Sequence, residues 1–414
     1  MGLILMDILY ISGMCSENKF DVYFQAGIIK KLPQSQKYHH LLIEGLRENT
    51  RGRVLAISSY PVKRSWAKKI FFWAQTESIH EITYRYPFFF NMPILRQICL
   101  GVSSFIYSIM FLRNKNKNSV AICDILTKSN STGARLACRL LKKPCVGIVT
   151  DVPGHTSGAR RKTLPKYQQY IFNLIERISS KNVDKYDAYL FLTEAMNKVV
   201  NPKNKPHIVI EGHSDIKMRQ KVNLLENKND KITVLYSGGI HKEFGIEVLV
   251  KAFMKANNDD WELHIYGDGN YKDELEILSA KNASIRYFGV VENAKVVEAQ
   301  MKAHLLVNPR LTGPEYIKYS FPSKNMEYMA SGTPMLTTRL PGMPLEYYDY
   351  VYIVDDESVE GFCSALTSVL SQSKSTLHEK GKKANKFVLE NKNNVTQSSR
   401  LIRFIECVFG QYYK

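Results

Sequence analysis

The 414-residue sequence has no CxxC pair, and its seven cysteines are scattered along the chain. An odd number of widely spaced cysteines fits neither a disulfide framework nor a zinc site made of paired thiols. The sequence also lacks an HExxH motif and any pair of carboxylates at metal-ligand spacing. We therefore expect reduced thiols in a reducing compartment, and no bound metal.

From the sequence we expect neither a leader peptide nor a membrane-spanning helix. Its first residues, MGLILMDILYISG, have no basic n-region and no small-residue cleavage site, so we interpret them as a buried strand. The apolar stretch 97–112 falls short of the ~20 residues that a spanning helix needs, and Arg96 and Arg113 flank it. This pattern favours a buried or interfacial helix over a transmembrane one.

Positive charge is what the sequence has in excess, with a formal net charge of +18. Residues 1–200 hold 29 Lys/Arg against 13 Asp/Glu, a net charge of +16, whereas the remainder holds 28 against 26. A basic half joined to a near-neutral half indicates an anionic partner on one side only, such as lipid headgroups, nucleic acid or a phosphorylated substrate. A basic surface that is merely solvated is the alternative.

One stretch, YPVKRSWAKKIFFWAQ, favours a membrane among these partners. Bulky aromatic rings beside cations suit the headgroup boundary of an anionic membrane surface. The stretch contains Lys63, Arg64, Trp66, Lys68, Lys69, Phe71, Phe72 and Trp73. We find no recognised nucleic-acid-binding module, so we expect no nucleic-acid partner. The expected location is cytoplasmic, peripheral at the inner face of the cytoplasmic membrane.

Apolar strand patterns alternate with amphipathic helix patterns along the whole chain, which predicts α/β domains with parallel sheets covered by helices. At this length two domains are the default. The chain turns polar between about residues 215 and 230. We therefore predict two Rossmann-like doubly wound domains facing a cleft, 1–214 and 215–394, with a final helix 395–414 that packs back on the first.

The segment SGGIHKEFG follows a predicted strand and precedes a helix. Gly238 and Gly239 could let the backbone approach a phosphate there, although a simple tight turn is an equal alternative. The segment is neither a P-loop nor a GxGxxG fingerprint.

Three charged residues in the same half form a candidate nucleotide site. Arg310 closes a predicted strand, where its fork could bind a diphosphate or form only a surface salt bridge. In YSFPSKNMEYMASGTPML, Lys324 could add a second cation, and Glu327 comes three residues later on nearly the same helical face. A carboxylate in that place can accept hydrogen bonds from both hydroxyls of a ribose.

In the N-terminal half, the segment VGIVTDVPGH ends a predicted strand with Asp151 and places His155 in the following loop. Polar residues at strand ends are where α/β sheets usually carry their chemistry. Asp151 as a turn or capping residue and His155 as an ordinary loop histidine are the alternatives.

Taken in order, these segments resemble a GT-B glycosyltransferase of family 4, the retaining sugar-nucleotide enzymes common in bacterial polysaccharide and capsule assembly. DAYLFLTEAMNKVV with IVIEGHSD is similar to the family's interdomain stretch. VLYSGGIHKEFGIEVLVKAF, ELHIYGDGNYKDEL, IRYFGVV and LLVNPR follow its second domain, and YSFPSKNMEYMASGTPML matches its signature helix. The likeness covers roughly 185–350 and is only topological before that.

Two departures from the family pattern concern charge. The family's two diphosphate-binding cations fall at Gly239 and Phe244 here, so Arg310, Lys324 and Lys242 would supply the charge. The first of the family's two signature glutamates, usually assigned to the transferred sugar, falls at Tyr319, and the second matches Glu327.

The resemblance implies a metal-independent, retaining hexosyltransferase that uses a nucleoside diphosphate sugar as its donor substrate and needs no cofactor. The acceptor would be a glycan, carried on a polyprenyl diphosphate, in cell-surface polysaccharide assembly. Asp151 or His155 would contact the sugar or acceptor from the first domain. The missing first glutamate would also fit a non-catalytic sugar-nucleotide or glycan-binding protein that keeps the fold.

Overall fold

The computed structural model describes residues 4–26, 34–60, 62, 69–114, 118–152 and 183–410. The chain forms two compact units: unit 1 is Met1–Glu211 with Asn394–Lys414, and unit 2 is Gly212–Asn393. The sequence-predicted junction lay at 214/215. His155 and four members of the aromatic and basic stretch lie outside the described residues: Lys63, Arg64, Trp66 and Lys68.

Unit 1 is built on a twisted sheet whose order is β10-β9-β8-β7-β1-β2-β5-β4. All neighbouring strands in it are parallel except β4, which runs antiparallel to β5. The central strands are buried throughout because helices cover both faces of a parallel sheet. The strands are β1 (Asp7–Ile11), β2 (Val54–Ile57), β4 (Gln75–Ile79), β5 (Ile82–Tyr86), β7 (Ser119–Asp124), β8 (Cys145–Val149), β9 (Ala188–Phe191) and β10 (His207–Val209).

A separate antiparallel pair, β3 (Phe71–Phe72) and β6 (Phe89–Phe90), lies beside this sheet. The described helices of unit 1 are α1 (Glu17–Gln25), α2 (Gln34–Asn49), α3 (Pro93–Leu112), α4 (Lys128–Leu141), α5 (Glu194–Val200) and α12 (Asn394–Phe409). The last helix, α12, follows unit 2 in the chain but belongs to unit 1 and packs closely on α2. The packing is so close that a side chain at Gly45 would overlap the carbonyl of Asn394. The apolar segment 97–112 is thus part of one helix of 20 residues.

Unit 2 is built on a wholly parallel sheet of order β13-β12-β11-β14-β15-β16. In this order the chain starts in the middle and winds first to one edge and then to the other, as in a Rossmann fold. The strands are β11 (Ile232–Gly239), β12 (Trp261–Asp268), β13 (Ile285–Gly289), β14 (Leu305–Asn308), β15 (Met335–Thr338) and β16 (Tyr352–Val354).

The helices of unit 2 cover both faces of its sheet. They are α6 (Ile246–Ala256), α7 (Lys272–Lys281), α8 (Asn293–Lys302), α9 (Ser323–Ala330), α10 (Val359–Leu370) and α11 (Lys374–Asn391). The prediction of two doubly wound α/β domains is confirmed. In such a sheet, ligands bind outside the carboxyl ends of the strands where the winding direction reverses, which here is between β11 and β14.

Candidate functional site

Two glycines form the carboxyl end of β11. Gly238 has φ of +145°, and Gly267 at the end of β12 has φ of +133°. The two residues pair across the strands, and a side chain at Gly267 would overlap the Gly238 carbonyl oxygen. The Tyr236 hydroxyl donates to the Gly239 carbonyl oxygen at 2.6 Å. The predicted phosphate-binding segment is therefore a strand end where glycine lets the Lys324, His241 and Phe244 side chains come close to the backbone.

The ammonium group of Lys324 lies over this strand end. Its Nζ is 4.0 Å from the centroid of the Tyr236 ring, and a Cβ built on Gly238 would be 2.7 Å from it. Burial lowers the pKa of Lys324 to about 7. The nearby Arg310 lowers this pKa further, whereas Glu327 raises it. Lys324 thus carries a weakly solvated charge next to another cation.

Arg310 follows β14, the strand that neighbours β11. Its guanidinium carbon lies 5.0 Å from the centroid of the Phe244 ring. Burial lowers the pKa of Arg310, and the Tyr316 and Tyr236 hydroxyls oppose the shift. The Nε atom of Arg310 is buried without a hydrogen-bond partner. A donor in that state is stabilised by an incoming anion.

Neither Lys324 nor Arg310 forms an ion pair with a carboxylate within the described part of the chain. Two partly buried cations in one neighbourhood repel each other unless an anion joins them. The structure therefore brings together three features that the sequence predicted separately: the Gly238–Gly239 strand end, Arg310 and Lys324. Their combined chemistry suits a group with two or more negative charges, such as a diphosphate.

Glu327 lies one turn after Lys324 on α9 and is held by a glutamine that sequence reasoning missed. Gln300, at the end of α8, is fully buried and donates from Nε2 to Glu327 Oε1 at 2.8 Å and to Ser237 Oγ at 3.1 Å. Because Gln300 fixes one carboxylate oxygen, the orientation of Glu327 is set before any ligand arrives. No local signal marks this glutamine, since it looks like any polar residue on an amphipathic helix.

Tyr328 fastens α9 to the end of β11, and it too escaped the sequence analysis. The backbone N–H of Ser237 donates to the Tyr328 hydroxyl at 2.8 Å, and that hydroxyl donates to the Ser237 carbonyl at 3.1 Å. Tyr328 is fully buried. The tyrosine thus fixes the distance between the helix that carries Lys324 and Glu327 and the strand end at Gly238.

Lys242 is the one predicted cation of unit 2 that the structure places elsewhere. Its Nζ is 2.6 Å from Glu274 Oε1 on α7, and it lies 5.4 Å from the centroid of the Tyr271 ring. Glu274 raises the pKa of Lys242. In this conformation Lys242 is neutralised by a carboxylate, unlike Lys324 and Arg310.

Tyr319, at the position of the family's first glutamate, is buried at the end of a 3-10 helix, Glu315–Tyr319. Lys318 lies over its ring at 5.1 Å and pairs with Glu315 at 2.8 Å. Glu315 is largely exposed and engaged by this lysine. Tyr319 is thus buried next to a lysine that is itself paired with a carboxylate.

Asp151 lies two residues after β8 in unit 1 and is partly buried. It therefore stands at the carboxyl end of a central strand, as the sequence predicted. Within the described residues, no group of three or more His, Cys, Asp or Glu side chains is arranged to hold a metal ion.

The sequence of unit 2 matches a known family. Residues 231–372 match the family model described as "Glycosyl transferases group 1". This part of unit 2 is therefore similar to group 1 glycosyltransferases. A curated protein of Klebsiella pneumoniae, described as an uncharacterized 41.2 kDa protein in a cps region, is 24% identical over 186 residues. That match covers 43% of this chain and 49% of the relative, so the chain spans about half the length of the curated relative.

Solved structures resemble the chain over nearly its whole length. Anabaena HepE in complex with UDP has a TM-score of 0.61 at 13% identity and covers 98% of this chain and 100% of its own. The sucrose-phosphate synthase of Thermosynechococcus elongatus has a TM-score of 0.64 at 14% identity over the same shares. The trehalose-phosphate synthase of Burkholderia xenovorans, solved with glucose-6-phosphate, has a TM-score of 0.63 at 10% identity. That match covers 96% of this chain and 99% of the synthase. At these identities the likeness shows the fold, which is GT-B.

Proposed function

We propose that the protein transfers a sugar from a nucleoside diphosphate sugar to a glycan or lipid-linked oligosaccharide acceptor, as a retaining, metal-independent family 4 enzyme. The observation that carries the proposal is the pair of cations, Lys324 and Arg310, without a carboxylate partner in the described residues, beside the small-residue strand end at Gly238. This arrangement suits a diphosphate bound at the switch point of a Rossmann-like sheet.

In this mechanism the donor diphosphate lies across Lys324 and Arg310, with the backbone at Gly238–Gly239 next to it. Breaking the bond from the sugar to the diphosphate places negative charge on the departing oxygen. Cations held in a partly dry site stabilise that charge without reorganising. Lys324, whose pKa is about 7 in the free protein, takes up a proton as the anion binds.

Glu327 would accept hydrogen bonds from the ribose hydroxyls. The 2.8 Å bond from Gln300 keeps the carboxylate in place during turnover. Asp151 or His155 would contact the sugar or the acceptor. Tyr319 would border the sugar as a buried aromatic wall rather than as an acid.

Uridine nucleotides are the first donors to test, because HepE was solved with UDP and also with UDP-glucose. The Klebsiella relative is described by its place in a cps region, which supports cell-surface polysaccharide assembly as the process. An acceptor on a polyprenyl diphosphate would fit the basic unit 1.

The test is transfer or hydrolysis of UDP-sugars by the wild-type protein, Lys324→Ala and Glu327→Ala, with a thermal-shift screen of UDP, ADP, GDP and dTDP beside it. Lys302→Ala is the matched control, because Lys302 is a half-exposed lysine that pairs with Glu298 on α8. We expect nucleotide stabilisation and turnover in the wild type and the control only. Failure of every nucleotide to stabilise the wild type would overturn the donor site.

The buried Tyr319 favours one alternative, a non-catalytic sugar-nucleotide or glycan-binding protein that keeps the fold. Such a protein would bind UDP-sugar through Lys324 and Glu327 but release no UDP. Binding without turnover over a broad acceptor panel, with the same loss of binding in Glu327→Ala, would establish this alternative.

A further inference from the structure

Helix α3 of unit 1 carries a row of apolar side chains that face outward. Five residues spaced four apart are 48% to 77% exposed. We call them the α3 ridge: Ile94, Ile98, Val102, Ile106 and Met110. Residues at this spacing form a continuous ridge inclined about 26° to the helix axis. An exposed apolar row of this length is unusual on a protein surrounded only by water.

The opposite face of α3 is packed inside unit 1. Gly133 of α4 abuts the Gly101 backbone, where a side chain would overlap it. Ser104 Oγ donates to the Asn130 carbonyl at 2.7 Å, and Leu112 is fully buried. Residues Ile94–Leu112 are long and apolar enough to cross a membrane. A helix fastened along one side to a sheet-bearing unit can instead lie along a membrane surface with its other side.

A second exposed apolar group precedes α3 in the chain. It is the aromatic cluster, formed around the β3–β6 pair by Phe71, Trp73, Phe88 and Phe90. The Phe71 ring is 4.5 Å from that of Trp73 and 5.0 Å from that of Phe90. Trp73 is 70% exposed. Exposed Trp and Phe side chains are typical of surfaces that enter the headgroup region of a bilayer.

The charges of α3 and α4 are almost all of one sign, whereas the hairpin beside the aromatic cluster also carries Glu77 and the exposed Glu81. Residues 93–143 contain nine Lys/Arg and a single acid, Asp124, which is buried. Arg113 at the end of α3, and Arg139 and Lys142 at the end of α4, are exposed, as is Lys69 beside the aromatic cluster. A surface with apolar ridges and an excess of cations is complementary to anionic lipid headgroups.

We propose that the α3 ridge and the aromatic cluster form a docking face that lies in the headgroup region of an anionic membrane, with unit 1 held against the bilayer. A second copy of the chain fits this face less well, because a two-fold contact would bring its like charges together. The proposal does not depend on the donor site, since every residue of the face belongs to unit 1 and Lys324 and Glu327 belong to unit 2.

The experiment is flotation of the full chain with vesicles of phosphatidylcholine alone or mixed with phosphatidylglycerol. We expect the protein to float with the anionic vesicles. The double substitution Ile98→Asp with Ile106→Asp should lower the bound fraction by about tenfold or more, because it places two charges at the apolar boundary. Val222→Asp with Leu345→Asp is the matched control, since both are exposed apolar residues of unit 2, and it should float like the wild type.

A second pair of substitutions tests the charge component and also serves if the aspartate variant does not fold. Arg113→Glu with Arg139→Glu should lower the partition coefficient for anionic vesicles by roughly 25-fold or more, since each of the two lost surface cations contributes about fivefold. Thermal stabilisation by UDP should be unchanged in all variants, which separates this proposal from the donor site.

Absence of wild-type flotation with anionic vesicles would overturn the proposal. So would sedimentation showing a dimer that Ile98→Asp with Ile106→Asp dissociates, because the ridge would then bind a second copy. Equal flotation of the wild type and both double variants would show that another surface binds the vesicles.

Discussion

The Lys324 ammonium lies 4.0 Å from the centroid of the Tyr236 ring, at the carboxyl end of the central strand of unit 2. An aromatic face attracts a cation without neutralising it. Lys324 is therefore held in position while its charge stays available to an anion. Arg310 is held in a similar way over Phe244. Both cations of the candidate site thus rest on aromatic rings rather than on carboxylates.

Nucleotide binding should depend on pH through Lys324. Its pKa is about 7 in the free protein, and a bound diphosphate raises it, so binding above pH 7 takes up a proton. Between pH 7.5 and 9 the affinity for UDP should fall by up to about tenfold per pH unit. Calorimetry in buffers of different ionisation enthalpy measures the proton uptake. A Lys324→Met variant with the same pH slope would contradict this assignment.

Removing the Lys324 charge should stabilise unit 2 while it weakens binding. The folded-state pKa is depressed below the unfolded value, so the unfolded chain binds more protons between pH 7 and about 10.5. Stability of the wild type therefore rises with pH across this window, and the cost of the charge is largest below pH 7. Lys324→Met should gain about 1–3 kcal/mol at pH 6 and less at pH 9. Denaturant unfolding at both pH values checks this, with Lys302→Met as the control. A loss of stability at pH 6 would be the contrary result.

Glu327→Gln should keep the fold and lose nucleotide affinity. The amide oxygen can still accept from Gln300 Nε2, so the 2.8 Å contact survives. The lost interaction is the charged acceptor for the ribose, whose removal should weaken UDP binding about tenfold to a hundredfold. Because Glu327 raises the pKa of Lys324, the pH profile of binding should also move to lower pH. Glu298→Gln, on the exposed side of α8, is the control. Unchanged affinity in Glu327→Gln would remove Glu327 from the site.

Gly238→Ala should damage both stability and binding. The backbone there has φ of +145°, and the new Cβ would lie 2.7 Å from Lys324 Nζ, so the lysine must move. We expect a loss of about 1–3 kcal/mol in the free energy of unfolding from the backbone conformation. UDP affinity should fall with it, because the displaced lysine no longer faces the diphosphate. Gly313→Ala is the control, since nothing lies within 4 Å of a Cβ there. Equal behaviour of the two variants would show that the strand end is an ordinary turn.

The elements of the donor site were predictable because their signals are local. An apolar strand pattern ends at Gly238 and another ends just before Arg310, which places both residues at strand ends. The helical pattern of α9 places Lys324 and Glu327 one turn apart. The arrangement of a doubly wound sheet then brings these strand ends together.

The partners of these residues were not predictable, because they come from distant parts of the chain. Gln300 lies 27 residues before Glu327, and Glu274 lies on α7, well beyond Lys242. Tyr236 and Tyr328 look like core residues in their own elements, and only packing shows that their rings and hydroxyls fix the site. The position of Lys242 could not be predicted either, because it depends on an ion pair with Glu274, which lies on another helix.

Strands β3 to β6 of unit 1 were not predicted from the sequence, for a different reason. Strands β4 and β5 are joined at His80 and Glu81, both with positive φ, where no Gly or Asn marks the turn. The β3–β6 pair joins two phenylalanine dipeptides across the β4–β5 hairpin. Such short, distant strands leave no periodic pattern in the sequence.

The most direct test of the donor site is calorimetric titration of UDP and of uridine into the wild-type protein and into Lys324→Met at pH 7. The two ligands differ only in the diphosphate. We predict that the wild type binds UDP far more tightly than uridine and that Lys324→Met loses most of this difference while its uridine affinity is unchanged. No preference for the diphosphate in the wild type, or a preference that survives the substitution, would contradict the assignment of Lys324 to the diphosphate of the donor.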